Sequence, residues 1–369
     1  MRKGLSTTQQ ALLAKRLRGA FPGSGWMRTI PKRAEAASYP LSFAQQRLWF
    51  LSQLEPASSA YHMPSAWRLQ GPLNVPALER GLTDLASRHE TLRTGIRVEA
   101  EQPRQYLSAA APVAVPVRNL EPLPAAEREG AARGLLDREM RRPFDLQRPP
   151  LWRVLLIRLD AVQHILLLDL HHIICDGWSL EVLRRELTTL YRTHAEGGSF
   201  PLEELPIQYA DFAVWQREWL GDERLRAPLR YWRQHLAGVP PALELPTDRR
   251  PAGLPQSAAG ECGLRLRPPL TDGLRSLSHE QGVSLFTTVL AVFQILLHRL
   301  SGQTDLVVGS PVAARNWRET EGLIGLFLNN LVLRSRFSAN HGFDEFLRST
   351  RACVLEALEH QHLPFEKDF

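Results

Sequence analysis

His171-His172-Ile173-Ile174-Cys175-Asp176-Gly177 stands directly behind the apolar run Ile165-Leu166-Leu167-Leu168-Asp169-Leu170. A short apolar run that ends in a turn signal reads as a buried strand, so two adjacent imidazoles arrive at a strand end. A carboxylate follows four residues after the second histidine, and Asp176-Gly177 turns the chain into Trp178-Ser179-Leu180-Glu181. An imidazole presented in this way can accept a proton near neutral pH. Two plainer readings fit the same residues. Histidines near a strand end are often ordinary buried side chains. His171, His172 and Asp176 also offer metal ligands, but a zinc site takes three or four protein ligands and a supporting shell. Cys175, Cys262 and Cys353 lie far apart, and no Cys-x-x-Cys or His-x-x-x-His spacing occurs, so no metal is expected.

Working outward, Leu151 to Leu159 is a second apolar run, separated from Gln163 to Leu170 by Asp160-Ala161-Val162. The pair predicts a hairpin that delivers the histidines. Leu180, Leu183, Leu187 and Leu190 predict a helix from about Ser179 to Arg192. Leu78, Leu82 and Leu85 predict another over Asn74 to His89, with Asn74 as its cap and Pro76 in the first turn. Gln281 to Leu300 reads as a core helix, Asp305 to Ser310 as a strand and Phe343 to His360 as a helix. Residues 5–18 predict a short basic helix followed by a linker over 21–38, and the body begins near Tyr39. The stretches 196–208 and 237–260, rich in Gly and Pro, read as connections.

Composition narrows the class. At 369 residues the chain exceeds one ordinary domain, so two lobes are expected. A hydrophobic content of 44% supports large cores and argues against disorder. Three cysteines make no disulfide framework and suit a reducing, cytoplasmic setting. No signal peptide is visible, and the longest apolar run, Leu285 to Leu297, is too short to span a bilayer. The net charge of +6 is scattered and not interleaved with aromatics, so neither nucleic acid nor membrane is an expected partner.

Five further segments accompany the histidine motif. They are Leu41 to Leu51 (Leu-Ser-Phe-Ala-Gln-Gln-Arg-Leu-Trp-Phe-Leu), Arg88 to Thr94 (Arg-His-Glu-Thr-Leu-Arg-Thr), Tyr209 to Trp215, Ile324 to Asn330 and His360 to Glu366. In this order and with His171 to Ser179 they resemble the six core motifs of the condensation domains of nonribosomal peptide synthetases, within the HHxxxDG acyltransferases. The fifth departs slightly, with Asn330 where a Thr is commoner.

The resemblance implies an α/β (α+β) fold of two chloramphenicol-acetyltransferase-like lobes in a V-shaped pseudo-dimer around a tunnel. The corresponding division is 1–37 as N-terminal helix and linker, 38–205 as the first lobe and 206–369 as the second. It implies amide formation, in which an acceptor amine attacks a donor thioester. Both substrates ride on the 4'-phosphopantetheine of carrier domains, with an adenylation domain as neighbour and no cofactor bound here. A thioester is already activated, so positioning supplies much of the rate and no Ser or Cys nucleophile is needed. His172 is the expected base or positioning group for the amine, and His171 supports the loop. Asp176 is expected to brace the motif by pairing with an arginine from the other lobe, Arg315 before Arg88 or Arg93. Gly177 is expected to permit close backbone approach or a positive φ. Trp178 and Ser179 read as packing and capping residues; Ser179, Asn329 and Asn330 are also candidate tunnel residues, with a structural turn role as the equal alternative for the two asparagines. Cys175 reads as a buried filler, and Arg47, Trp49, Asp211, Trp215 and Phe365 as architectural.

Rivals are weighed on the same residues. A stand-alone HHxxxDG acyltransferase using acyl-CoA explains the third motif but not the other five. A heterocyclising relative should carry Asp in place of His171, and an epimerising one diverges around the motif. A catalytically inactive, carrier-recruiting member typically lacks the second histidine, which is intact here. The family's domain normally continues past the last motif, so the second lobe is expected to be incomplete. The basic helix at the start is a candidate docking element for an upstream carrier.

Overall fold

A computed structural model describes residues 29–246, 262–338 and 342–367; the helix expected over 5–18 lies outside them. The chain forms two compact units. One joins Thr29–Gly221 to the later segment Ala313–Leu328, and the other contains Asp222–Val312 and Asn329–Phe369. This differs from the expected division at 37/38 and 205/206. Residues 29–37 belong with the first unit because Arg33 is pinned there by Asp211 and Glu90, both at 2.6 Å. Tyr209 and Phe212 are buried in that same core and carry the boundary past residue 205.

The first unit begins with β1 (Tyr39–Pro40) and α1 (Phe43–Leu54), then β2 (His62–Gln70) and α2 (Val75–Arg88). The hairpin β3 (Thr94–Glu99) and β4 (Gln102–Leu107) follows, then β5 (Val117–Asn119) and α3 (Ala125–Arg141). The expected hairpin is β6 (Trp152–Arg158) with β7 (Gln163–His171), succeeded by α4 (Gly177–Glu196) and α5 (Tyr209–Trp219). The main sheet has the order β2-β7-β6-β5, and β1-β4-β3 form a second, smaller sheet.

β7 is central, which explains its unbroken leucines. On one face Leu167 and Ile165 meet Leu155, Ile157 and the α3 residues Ala132, Leu135 and Leu136. On the other, Leu166, Leu168 and Leu170 join Leu82 and Leu85 of α2 and Leu183, Leu187 and Leu190 of α4. A strand covered on both faces has no need of alternation. Each fully buried leucine contributes roughly 1.5–3 kcal/mol, so the strand that carries the histidines is among the most firmly held elements.

α2 is bounded as the sequence predicts, with Asn74 accepting from the Ala77 amide at 3.1 Å. α4 is longer than predicted at both ends. Asp176 caps its start, and Gly197 ends it in the left-handed region at φ 77°. On α1 the buried residues are Phe43, Gln45 and Leu48, while Arg47 and Leu51 are only half-buried.

The second unit contains α6 (Asp222–Leu236), α7 (Pro268–Glu280), α8 (Leu285–Ser301), β8 (Asp305–Val312), β9 (Asn329–Arg336) and α9 (Phe343–Glu359). β8 and β9 pair antiparallel, and Val283, Ala291, Phe346 and Leu347 form a small core. The expected helix from Gln281 starts at Leu285 instead, because Gly282 takes φ 63° and Ser284 caps the next turn. Nor is α8 a fully buried core helix. Phe286, Val289, Phe293, Leu296 and Leu300 form an exposed stripe opposite the buried Leu290, Ala291 and Gln294. Among the described residues no single helix is long and apolar enough to cross a membrane.

Candidate active site

β7 ends at His171, and the next three residues, His172 to Ile174, make a single 3-10 turn before Asp176 opens α4. That turn is fixed by side chains. His171 Nδ1 accepts from the Ile173 amide at 3.1 Å, and Gln45 Nε2 donates to the Ile173 carbonyl at 3.1 Å. His171 must therefore be neutral, with its proton on Nε2. Burial, reinforced by His62 and His172, holds it there by pulling its pKa down to about 3. Such a ring is a poor base. It is a structural acceptor.

His172 differs. Its amide donates to the Tyr61 carbonyl at 2.7 Å, and its ring is half-buried. Nδ1 lies 2.7 Å from the Cys175 carbonyl oxygen, which can only accept, so Nδ1 carries the proton. Neutral His172 therefore has its lone pair on Nε2. That is the tautomer needed to accept a proton or an amine N–H. Gly177 follows closely, exposed, with nothing within 4 Å of the position a Cβ would occupy. Its φ is not positive, so of the two expected roles only room for close approach remains.

Asp176 does not face an open site. Its Oδ1 accepts from the Ser179 amide at 2.8 Å and from Arg315 at 3.0 Å, and Oδ2 accepts from the Phe327 amide at 3.1 Å. Ser179 Oγ shares its one proton between Asp176 and the Gly325 carbonyl, and it accepts from Arg315 and the Gly325 amide. Ser179 is thus a buried member of the brace, and the cap itself is Asp176. Burial lowers the Arg315 pKa and Asp176 opposes that, but a guanidinium stays charged. Arg315 also donates to the carbonyls of Thr320 and Leu323. It lies on the 313–328 segment, so the pair forms within one compact unit, where the resemblance implied a partner from the other lobe.

Arg88 and Arg93 do not support Asp176. Arg88 pairs with Glu186 at 3.1 Å beside His89, and Arg93 donates to the carbonyls of Ala86 and Ser108. Asn329 lies in the second unit, where its amide donates to the carbonyls of Gln361 and Leu363 and its Oδ1 accepts from the Phe365 amide. It fastens the last motif to β9. Asn330 donates its own amide to the Asn329 side chain. Cys175 is fully buried, its thiol pushed well up by burial, with Sγ 3.5 Å from Met63 Sδ. Trp178 donates to the Glu321 carbonyl at 2.9 Å, its ring half-exposed.

Sequence reasoning passed over two parts of the site. One is Gln45, legible only as a polar residue on an apolar helix face. The other is the contact of Tyr209 with Gly325, where any Cβ would stand 2.0 Å from the ring. The Tyr209 hydroxyl donates to the Leu326 carbonyl at 2.7 Å and holds the 313–328 segment against α5. A cavity of ≈ 720 Å³ elsewhere in the first unit, beside Arg33, Glu90 and Asp211, is not lined by the histidines. Among the described residues no group of three or more His, Cys, Asp or Glu is disposed to hold a metal ion.

The family model described as the condensation domain matches residues 35–367. A linear gramicidin synthase chain of Brevibacillus parabrevis is 46% identical over 330 residues, 89% of this chain but 4% of its own length. The complex of the X-domain and OxyB from teicoplanin biosynthesis aligns with a TM-score of 0.80 at 32% identity, covering 94% of this chain and 75% of that one. The first condensation domain of the calcium-dependent antibiotic synthetase, with a bound substrate analogue, aligns with a TM-score of 0.76. At 24% identity over 90% of this chain and 76% of the other, that likeness speaks for the fold alone.

Proposed function

The chain belongs to the condensation-domain family of nonribosomal peptide synthetases, and from that premise we propose that it forms an amide between two carrier-bound substrates. The acceptor's amine attacks the donor thioester carbonyl. A C–N bond forms, the C–S bond breaks, and the donor carrier's phosphopantetheine leaves as a thiol. His172 Nε2 takes the proton or the hydrogen bond of the attacking amine. The observation that carries this reading is the His172 Nδ1–H bond to the Cys175 carbonyl, which leaves Nε2 free to accept. Holding amine and thioester together supplies the largest share of the rate, and a positioned acceptor adds about 10²- to 10⁴-fold. The partners are donor and acceptor carrier domains beside an adenylation domain, in the cytoplasm.

The test supplies the full chain with loaded donor and acceptor carriers and follows amide product. Product that requires both carriers supports the proposal, and its loss in His172→Ala supports the assignment of His172. Product formed equally well from free acyl-CoA favours the acyl-CoA acyltransferase instead. A second reading, a partner-recruiting module, is favoured by the likeness to an X-domain solved with OxyB. Carrier binding without product, in the parent as in His172→Ala, would select it.

A further inference from the structure

The face of β7 that carries His171 also carries Asp169, and that carboxylate is fully buried. Cross-strand register sets Arg153 of β6 opposite Asp169 and His62 of β2 opposite His171. Arg153 Nε lies 3.2 Å and His62 Nδ1 3.4 Å from Asp169 Oδ2, yet neither carboxylate oxygen has a hydrogen-bond partner among the described residues. The Arg153 guanidinium compensates the carboxylate by charge, not by a hydrogen bond.

Both partners are aimed from the end of α3. His62 Nδ1–H donates to the Met140 carbonyl at 2.9 Å, and Arg153 donates to the Arg142 carbonyl. The last carbonyls of a helix carry partial negative charge, so they anchor such groups well. Phe144 fills the middle. The Arg153 guanidinium lies 3.8 Å above its ring, and His62 and His171 approach it edge-on at 4.8 and 6.0 Å.

His171 can accept from the Ile173 amide only while its Nδ1 carries no proton. A buried carboxylate two residues back on the same face pulls a proton toward that ring unless a cation offsets it. We propose that Asp169, Arg153 and His62 are positioning residues, a charge-balanced cradle that keeps His171 an unprotonated acceptor and so fixes the turn that directs His172. The proposal rests on the reading of His172 given above, but the turn itself can be observed without any assay of activity.

The test uses Arg153→Met and the double variant Arg153→Met with Asp169→Leu. The single variant leaves the carboxylate unbalanced, and the double removes both charges, an exchange that buried pairs often tolerate. In the single variant, exchange of the Ile173 amide rises about tenfold. Its kcat falls about 10²-fold at unchanged KM, the cost of a misplaced acceptor. The double variant recovers both. Unchanged Ile173 exchange in Arg153→Met overturns the proposal, and so does a double variant that fails to recover. A role in stability alone predicts lowered melting temperatures with parent-like Ile173 exchange and kcat. If Arg153→Met does not fold, His62→Leu replaces it, and parent-like exchange at Ile173 there is equally fatal. If the parent forms no amide, the condensation reading fails, while Ile173 exchange still decides the cradle.

Discussion

Asp176 and Arg315 meet at 3.0 Å with their side chains only 2% and 1% exposed, so each neutralises the other's burial. The pair joins α4 to the 313–328 segment far along the chain, and Ser179 completes it from one helical turn away.

Removing one partner is therefore costly. Arg315→Met should destabilise the chain by about 3–5 kcal/mol, because Asp176 remains as a buried unpaired charge. Urea unfolding of parent and variant measures this. Arg315→Lys should recover only part of the loss, since an ammonium cannot serve Asp176, Ser179 and the Thr320 and Leu323 carbonyls together. A lysine variant as stable as the parent would show that charge alone suffices.

His172 is the opposite case. Its ring is half-buried and has one internal bond among the described residues, so His172→Ala should fold like the parent. Amide formation should nevertheless fall by about 10²- to 10⁴-fold. Single-turnover kinetics with loaded carriers, beside a thermal melt, separates the two effects. Gly177→Val should behave similarly, its side chain entering open space next to the motif at no cost to packing.

What the sequence made legible follows from what each residue does locally. The β6–β7 hairpin, α2 and α4 announce themselves through leucine spacing, and Asn74 through its place before Pro76. α3 does not, because its buried face is thin and only Ala132 is fully covered. α7 likewise buries only Ser278 fully, which leaves little periodicity to read. At the site, Asp176 and Arg315 could be matched through the motif resemblance. Gln45, Tyr209 and Asp169 could not. Gln45 and Tyr209 reach partners 128 and 117 residues away, and Asp169 meets its partners across strands, so no local pattern encodes their importance.

Gly325 marks one such contact. Gly325→Ala would drive a methyl to 2.0 Å from Tyr209 Cδ2, and Tyr209 is held at its hydroxyl by Leu326 and Ser42. The ring cannot swing aside freely, so a loss of roughly 1–3 kcal/mol is expected. A thermal melt checks it, and Tyr209→Leu in the same background should return part of the loss.

The thiols separate by burial. Cys262 is exposed, whereas Cys175 is sealed with its thiol pushed well up. Iodoacetamide at neutral pH should alkylate Cys262 readily and spare Cys175 until denaturant is added. Peptide mapping after a timed pulse reads the result, and rapid native labelling of Cys175 would contradict a filler role.

Acid should find the site through His171. Its folded pKa is about 3 and its ordinary value 6.5, so the unfolded chain binds more protons between those limits. Stability is complete above about 6.5 and is lost as pH falls toward 3. At roughly 1.4 kcal/mol per unit, the contribution reaches several kcal/mol. His362, drawn down to about 4, and the carboxylates add to the acid loss, so the parent curve alone does not isolate His171. His171→Asn does, because its amide oxygen can still accept from Ile173 but takes up no proton. Unfolding free energies of parent and variant, measured from pH 7.5 down to 4, should therefore converge steadily below 6.5. A constant difference across that range would mean that His171 is not held neutral, and the turn that carries His172 would need another explanation.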